Sequence, residues 1–490
     1  MYYSSKNKGD ILLSVLIFAS IAITIIIGLT NWGASLLRNI RNVSQREQAF
    51  QIAEAGLDYY QWHLAQFPND YKDGTATSGP YIHTFRDKDD NVLGTYSLTI
   101  TPPPTGSTIV KIVSTGTLAS SSISRTIQKT LAIPSLAKYA TVSNDNLRFG
   151  SGTEVFGPIH ANGGIRFDGI AHNLISSSMA TYTDPDPPGL VQWAVYTTSG
   201  QDDPIPSVGP VNNRPDVFIA GRQFPIPSFD FNSLTIGLTH LQSLAQNGGK
   251  EWSSSGKQGY HMVFKVTGGV TSYDMYRVNS IQSVSNSCSN NNTANAQKNG
   301  PIYYQWGSWS IKSPITSNQT LIGNYPIPAN GVIFVNDHVW VDGQIDDARI
   351  TVVSGIVGST DPTKYGNITI NSDLRYTNYD GTDSIGLIAQ GNVNVGMVSA
   401  DTLRIDAALI AEKGRVGRFY YSTNCTDYSK TSLTLYGMIA TYRRYGFSYT
   451  DGTGYETRNI IYDSNLLYAP PPSFPSASNQ YEVISWQQLD

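Results

Sequence analysis

The chain has 490 residues, more than one compact core holds, so two or three domains are expected. Charged residues are only 14% and the formal net charge is −4, which excludes the clustered basic face that nucleic-acid binding calls for. The 30 tyrosines, 44 glycines and many Ser, Thr and Asn point to short strands joined by turns.

A leader-like segment, residues 1–9, precedes an unbroken helical pattern over residues 10–66. Ile11 to Thr30 carries no charge and has the ~20 apolar residues needed to cross a bilayer core. A secretory signal would be shorter and end in a small-residue cleavage site; here the helical pattern runs on. Beyond the span, Leu36, Ile40, Val43, Phe50, Ala53, Leu57, Tyr60 and Leu64 recur at gaps of three, four and seven, drawing one packing stripe. Pro68 ends the pattern. At about 1.5 Å per residue the rod is roughly 85 Å long, far more than a membrane is thick.

Lys8-Gly9 before the apolar run, and Gln45-Arg-Glu-Gln-Ala-Phe-Gln-Ile-Ala-Glu-Ala-Gly-Leu-Asp58 after it, resemble the start of type IV pilin-like proteins, in particular PilX-type pilus-assembly proteins. The resemblance covers about 65 residues. It implies cutting by a prepilin peptidase between Gly9 and Asp10, methylation of the new N-terminus, and helix packing with other pilin-like subunits. Asp10 stands where that family usually has Phe or Met, and Ser14 where it usually has Glu. Ser14 has no carboxylate to pair with a neighbour's terminal amine.

Lys6 and Lys8 lie before the span, and Arg38, Arg41 and Arg46 after it, so charge alone does not favour an outward C-terminal bulk. Long domains translocate largely regardless of charge, and the resemblance and loop cysteines place the bulk outside the cytoplasmic membrane. Membrane lipid is then one partner.

Residues 67–133 read as a pilin-like β-meander: a loop to about Pro80, then alternating runs at 94–101, 107–115 and 123–133 joined by short turns. Residues 138–174 and 329–460 hold many three- to six-residue strands separated by Gly, Asn or Asp, which suggests stacked coils like a β-helix. A sandwich is the alternative. Residues 175–328 break the style and read as an inserted α+β region, with a helix near 231–246 and a hairpin around Gly268-Gly269. Residues 461–490 read as a Pro-rich tail packing on the β domain. The segments Gly157–Gly163 and Asp406–Ala411 and the closing Pro-rich stretch also resemble an uncharacterised β domain that follows PilX-type helices in bacterial envelope proteins. The fold class is α+β, mostly β.

Cys288 and Cys425 both sit in polar loop sequence and suit one disulfide in an oxidising envelope. Carboxylate pairs for glycoside hydrolysis are sought at Asp337, Asp342, Asp346 and Asp347 and at Asp401 and Asp406; turns explain all of them. His160 and His338 could meet only if their segments stack; no zinc motif, phosphate loop or nucleophile elbow is present. Tyr303, Tyr304, Trp306, Trp309, Tyr442, Tyr445, Phe447 and Tyr449 alternate with polar residues, as strand faces do, or as a surface for glycans does. No cofactor, metal or catalytic residue is assigned. The expectation is a non-enzymatic, pilin-like, single-pass membrane protein displaying a β-rich ectodomain for structure or adhesion. The alternative is a membrane-tethered carbohydrate-active or carbohydrate-binding β-helix.

Overall fold

The computed structural model describes residues 8–104, 107–231, 237–285, 287–288, 304–476 and 480–489, with the backbone alone for 8–10. Residues 1–7 of the leader-like segment lie outside the described residues. Two compact units result: residues 1–102, 110–132 and 481–490 form the first, and 103–109 and 133–480 the second.

In the first unit, helix α1 (Lys8–Gln66) runs 59 residues without a break. Strands β1 (Tyr81–Arg86), β2 (Val92–Thr101), β3 (Val110–Leu118) and β4 (Ser124–Ala132) pair antiparallel in that order. Ala49, Ile52, Ala53, Leu57, Tyr60 and Leu64 are at most 2% exposed. They pack with the buried Leu98, Val110, Ile112, Ile127 and Leu131 of the sheet. Each large apolar side chain buried there contributes about 1.5–3 kcal/mol.

Two glycines let helix and sheet approach. A Cβ on Gly116 of β3 would lie 2.2 Å from the Ala49 carbonyl oxygen and 2.4 Å from the Ala53 nitrogen. A Cβ on Gly56 of α1 would lie 2.4 Å from Ser114 Oγ and 2.8 Å from the Tyr96 ring. The helix end is tied down as well. Asp70 accepts the Lys72 and Gly74 amides at 2.8 and 2.6 Å and lies 2.9 Å from His63 Nε2. Asp73 lies 2.6 Å from His83 Nε2 and accepts the Tyr59 hydroxyl at 3.0 Å.

The sheet is wider than the three-strand meander read from alternation. β1 precedes it, and strand Glu482–Leu489 pairs antiparallel with β4. This corrects the reading of residues 461–490 as one tail packing on the β domain: its last stretch belongs to the first unit. The reason is edge satisfaction, since β4 would otherwise present a row of unpaired backbone groups. Trp486 of that strand meets Phe50 edge-on at 5.9 Å between ring centres.

The second unit is a stack of rungs whose short strands pair mostly in parallel ladders, two of them long. One ladder runs through Lys250–Trp252, Val332–Val335, Arg349–Ser354, Ser384–Ala389, the ends of Thr402–Ala411 and Ser429–Thr441, then Thr141–Ser143, Ile159–Ala161, Ile175–Ser177 and Arg222–Gln223. All its pairings are parallel. Leu374–Tyr376, the front halves of the two long strands, Gly454–Tyr462, Thr153–Phe156 and Ile170–Ala171 make a second ladder. Each rung sends inward residues into a continuous core that includes Ile333, Ile350, Leu387, Leu409, Ile439, Ile159 and Ile175. Inside it the rings of Tyr445, Phe149, Phe167 and Phe218 follow one another at 5.2, 4.7 and 6.2 Å.

Spatial order departs from chain order. The rungs of 141–177 follow those of 429–462 rather than preceding those of 332–354. Residues 175–328 are not a separate insertion: their first strands extend one end of the stack, and Lys250–Trp252 with Gly259–Thr267 begin the other. Strands of two or three residues between glycines and prolines are too short to show their alternation, which is why the sequence hid them. The hairpin Gly259–Thr267 and Val270–Val278 forms as alternation predicts.

Outward residues of the first ladder are apolar too: Phe334, Val353, Ile388, Ile410, Ala440 and Val142. Helix α2 (Leu238–Gln246), through Leu241 and Ala245, covers that face together with Phe231, Leu136, Leu466 and Phe474.

Substituting Gly116→Ala should destabilise the first unit by about 1–3 kcal/mol, because the helix backbone must move to admit a methyl group. The measurement is hydrogen exchange on the full chain: protection should fall across β2, β3 and β4 while the rungs of the second unit keep theirs.

Candidate functional site: the uncovered stretch of the N-terminal helix

Seating on the sheet begins at Ala49. Every residue from Ile11 to Thr30 is exposed, as are those from Asn31 to Gln48 except the half-buried Gly33 and Gln45. The helix is long and apolar enough to cross a membrane. Its few polar side chains are suited to that. Ser20 donates to the Ile17 carbonyl at 2.8 Å, Thr24 to that of Ser20 at 2.8 Å, and Thr30 to that of Ile26 at 2.9 Å. Hydroxyls turned back onto their own helix leave no unpaired donor facing hydrocarbon.

The predicted stripe divides in two. Ala53, Leu57, Tyr60 and Leu64 are buried on the sheet and Phe50 is half-buried against Trp486. Leu36, Ile40 and Val43 remain 46%, 56% and 66% exposed. Trp32 and Leu37 add to this uncovered apolar surface. Periodicity missed Ala49, Ile52 and Gly56, whose small or offset side chains blur the pattern. Gly9 and Asp10 lie at the helix start.

In the second unit Cys288 and Cys425 form a disulfide. Both are buried, beside Met397, Phe419 and Tyr421, although their flanking sequence is polar. Trp306 and Trp309 pack against the same cluster; Tyr303 lies outside the described residues. Tyr445 and Phe447 point into the core.

The acidic candidates are held by local partners. Asp337 accepts the Ser255 amide at 2.7 Å, and Asp342 lies 2.9 Å from His261 Nε2. Asp346 accepts from Asn378 at 2.9 Å, and Asp347 sits in a left-handed turn with φ 47°. Asp401 accepts the Thr431 amide at 3.2 Å. Asp406, wholly buried, accepts the Tyr376 amide at 3.1 Å and the Tyr379 hydroxyl at 2.7 Å. His160 lies 3.1 Å from Ser176 Oγ, whereas His338 Nδ1 accepts the Asn367 amide at 3.2 Å; the two share no partner. Among the described residues no three His, Cys, Asp or Glu side chains converge on a metal position.

Two groups went unmarked in the sequence. One is a cleft of about 590 Å³ on the second unit, bordered by Arg148, Ser199, Tyr449 and Glu456. Its walls come from rungs distant in the chain, so no local motif announces it. Behind it, burial works to raise the Asp186 carboxyl, but Arg444 and Arg148 outweigh burial and hold it well below the usual carboxylate range. The other is Glu412. Burial pushes its carboxyl up to about 8, Lys413 only partly opposes this, and neither oxygen has a hydrogen-bond partner among the described residues.

A carboxyl raised in the folded state contributes stability that is complete below its unfolded value of 4.5 and is lost as pH rises through about 8. Glu412→Gln should therefore match the parent near pH 4 and exceed it by about 1–3 kcal/mol at pH 8. Denaturant unfolding of the second unit across that range reads the difference. In the same assay Cys425→Ser, or a reductant, should cost about 2–5 kcal/mol, because the bridge closes a long loop in the unfolded chain.

No family model matches the chain, and no curated protein does. Among solved structures, the competence-associated pilin ComZ from Thermus thermophilus is similar over 91% of this chain and 97% of that chain, at 13% identity and a TM-score of 0.31. So slight a likeness decides neither the fold nor the function of this chain.

Proposed function

We propose that the chain is a pilin-like envelope protein, anchored by α1 in the cytoplasmic membrane. It acts as a minor component or assembly factor of a type IV pilus-like system and carries its rung-stacked unit outside as a display or adhesion domain. One observation carries this reading: α1 is one continuous helix of which only the part from Ala49 onward is covered by its own sheet. An uncharged stretch of membrane length followed by exposed Leu36, Ile40 and Val43 is a surface without a partner among the described residues. Lipid covers the first part, and helices of other pilin-like subunits cover the second. In this reading the second unit catalyses nothing; the acidic candidates serve its turns.

A second reading, a static single-pass anchor that never enters a fibre, is favoured by Ser14, which offers no carboxylate to a neighbouring N-terminus. Intact mass of the protein made with and without a prepilin peptidase separates the two. Loss of residues 1–9, leaving Asp10 first, only when the peptidase is present is the expected result. An N-terminus still at Met1 in both preparations would contradict processing and leave the static anchor.

A further inference from the structure

The cleft on the second unit crosses several rungs. The segments at Arg444–Glu456, Arg148–Thr153, Asp168 and Thr198–Ser199 all reach it. Rungs lie about 4.8 Å apart, so three or more of them give a groove on the order of 15 Å, longer than one sugar ring. Its volume of about 590 Å³ falls in the range of ligand sites, roughly 300–1,000 Å³.

The cations around it are already engaged. Arg458 spends its nitrogens on the carbonyls of Gly150, Ser151, Tyr455 and Glu456 and on the Thr153 hydroxyl. Arg444 gives both terminal nitrogens to Asp186. Asp168 accepts from Arg166 at 2.7 Å and from the Thr198 amide at 2.8 Å. Four guanidiniums thus stand near Asp168, Asp186 and Glu456, but Arg166, Arg444 and Arg148 are engaged by the two aspartates and Arg458 by backbone carbonyls, which leaves no open cationic cluster to trap an anion.

What remains for a ligand is a mixed set of hydrogen-bonding groups. Arg148 gives only Nη1 to Asp186. The Glu456 carboxylate and the hydroxyls of Ser151, Ser199 and Ser429 have no protein partner among the described residues, and they border the same space. Donors and acceptors side by side along a groove whose cations are engaged match the vicinal hydroxyls of a sugar, each of which donates and accepts. Tyr449, held by its hydroxyl on the Arg418 carbonyl at 2.9 Å, adds an aromatic wall.

We propose that this cleft is a binding site for a neutral oligosaccharide. It deepens the reading of the second unit as a display domain but is independent of N-terminal processing, so either can fail while the other stands.

The test uses the full chain in lipid nanodiscs, free of sugar-based detergent. Binding of cellotetraose, chitotetraose and maltotetraose is measured by calorimetry and saturation-transfer NMR, beside tetragalacturonate and a short single-stranded oligonucleotide as polyanions. At least one neutral tetrasaccharide should bind with Kd roughly between 10 μM and 1 mM. Glu456→Gln and Ser199→Ala should each weaken it about two- to tenfold, the worth of one hydrogen bond, with unchanged unfolding midpoints. Ser199→Trp should abolish it by filling the groove. Binding of the polyanions alone, no binding at all, or neutral binding that all three variants leave intact would overturn the proposal.

Discussion

The seam between Gly116 of β3 and the turn of the helix at Ala49 and Ala53 governs the first unit. Two backbones meet there with no side chain between them, and Gly56 one turn on leaves room for Ser114 and the Tyr96 ring. That contact fixes which face of α1 turns inward, and so places Ile52, Leu57, Tyr60 and Leu64 on the sheet. It also determines where covering stops. Before Ala49 none of the described strands reaches the helix, so the apolar residues there have nothing to pack on among the described residues. A folded domain rarely leaves so large an apolar surface open without a use for it. The proposal of a membrane and a partner rests on that imbalance.

The Ala53-Glu-Ala-Gly56 stretch, which carries the resemblance to pilin-like proteins, therefore has a structural reason of its own. Small residues at Ala53 and Gly56 let the helix lie close on β3, while Glu54 and Asp58 stay at the margins. Asp58 meets Lys129 of β4 at 2.9 Å. Because that pair is largely exposed on the Asp58 side, it adds little beside the apolar seam.

How much of this was legible depends on period and reach. The helix was plain because fifty-odd residues share one pattern and Pro68 punctuates it. The β2, β3 and β4 alternation was plain for the same reason. The rungs were visible as a style, since three- to six-residue runs rich in Val, Ile and Leu recur between Gly, Asn and Asp turns, but their order was not. Stacking edges are chemically alike, so nothing local tells Thr141–Ser143 to follow Ser429–Thr441. The closing strand Glu482–Leu489 looked like a tail because its partner, β4, lies some 350 residues earlier in the chain. The cysteines read as surface residues from their polar neighbours, yet the aromatic residues that bury them come from other segments. The cleft was hidden in the same way: Arg148, Ser199 and Glu456 become neighbours only once the rungs are stacked.

The central claim is that α1 is a single rod with three zones: a lipid-facing stretch, an uncovered apolar stretch, and a part seated on its sheet. A spin-label scan along the helix, with the full chain in lipid nanodiscs, tests it most directly. Residues 11–30 should be accessible to oxygen and not to a water-soluble relaxer. Labels at 36, 40 and 43 should be open to the water-soluble reagent, and from residue 49 accessibility should alternate with helical period. Water accessibility throughout 11–30, or loss of helical continuity before residue 50, would contradict it.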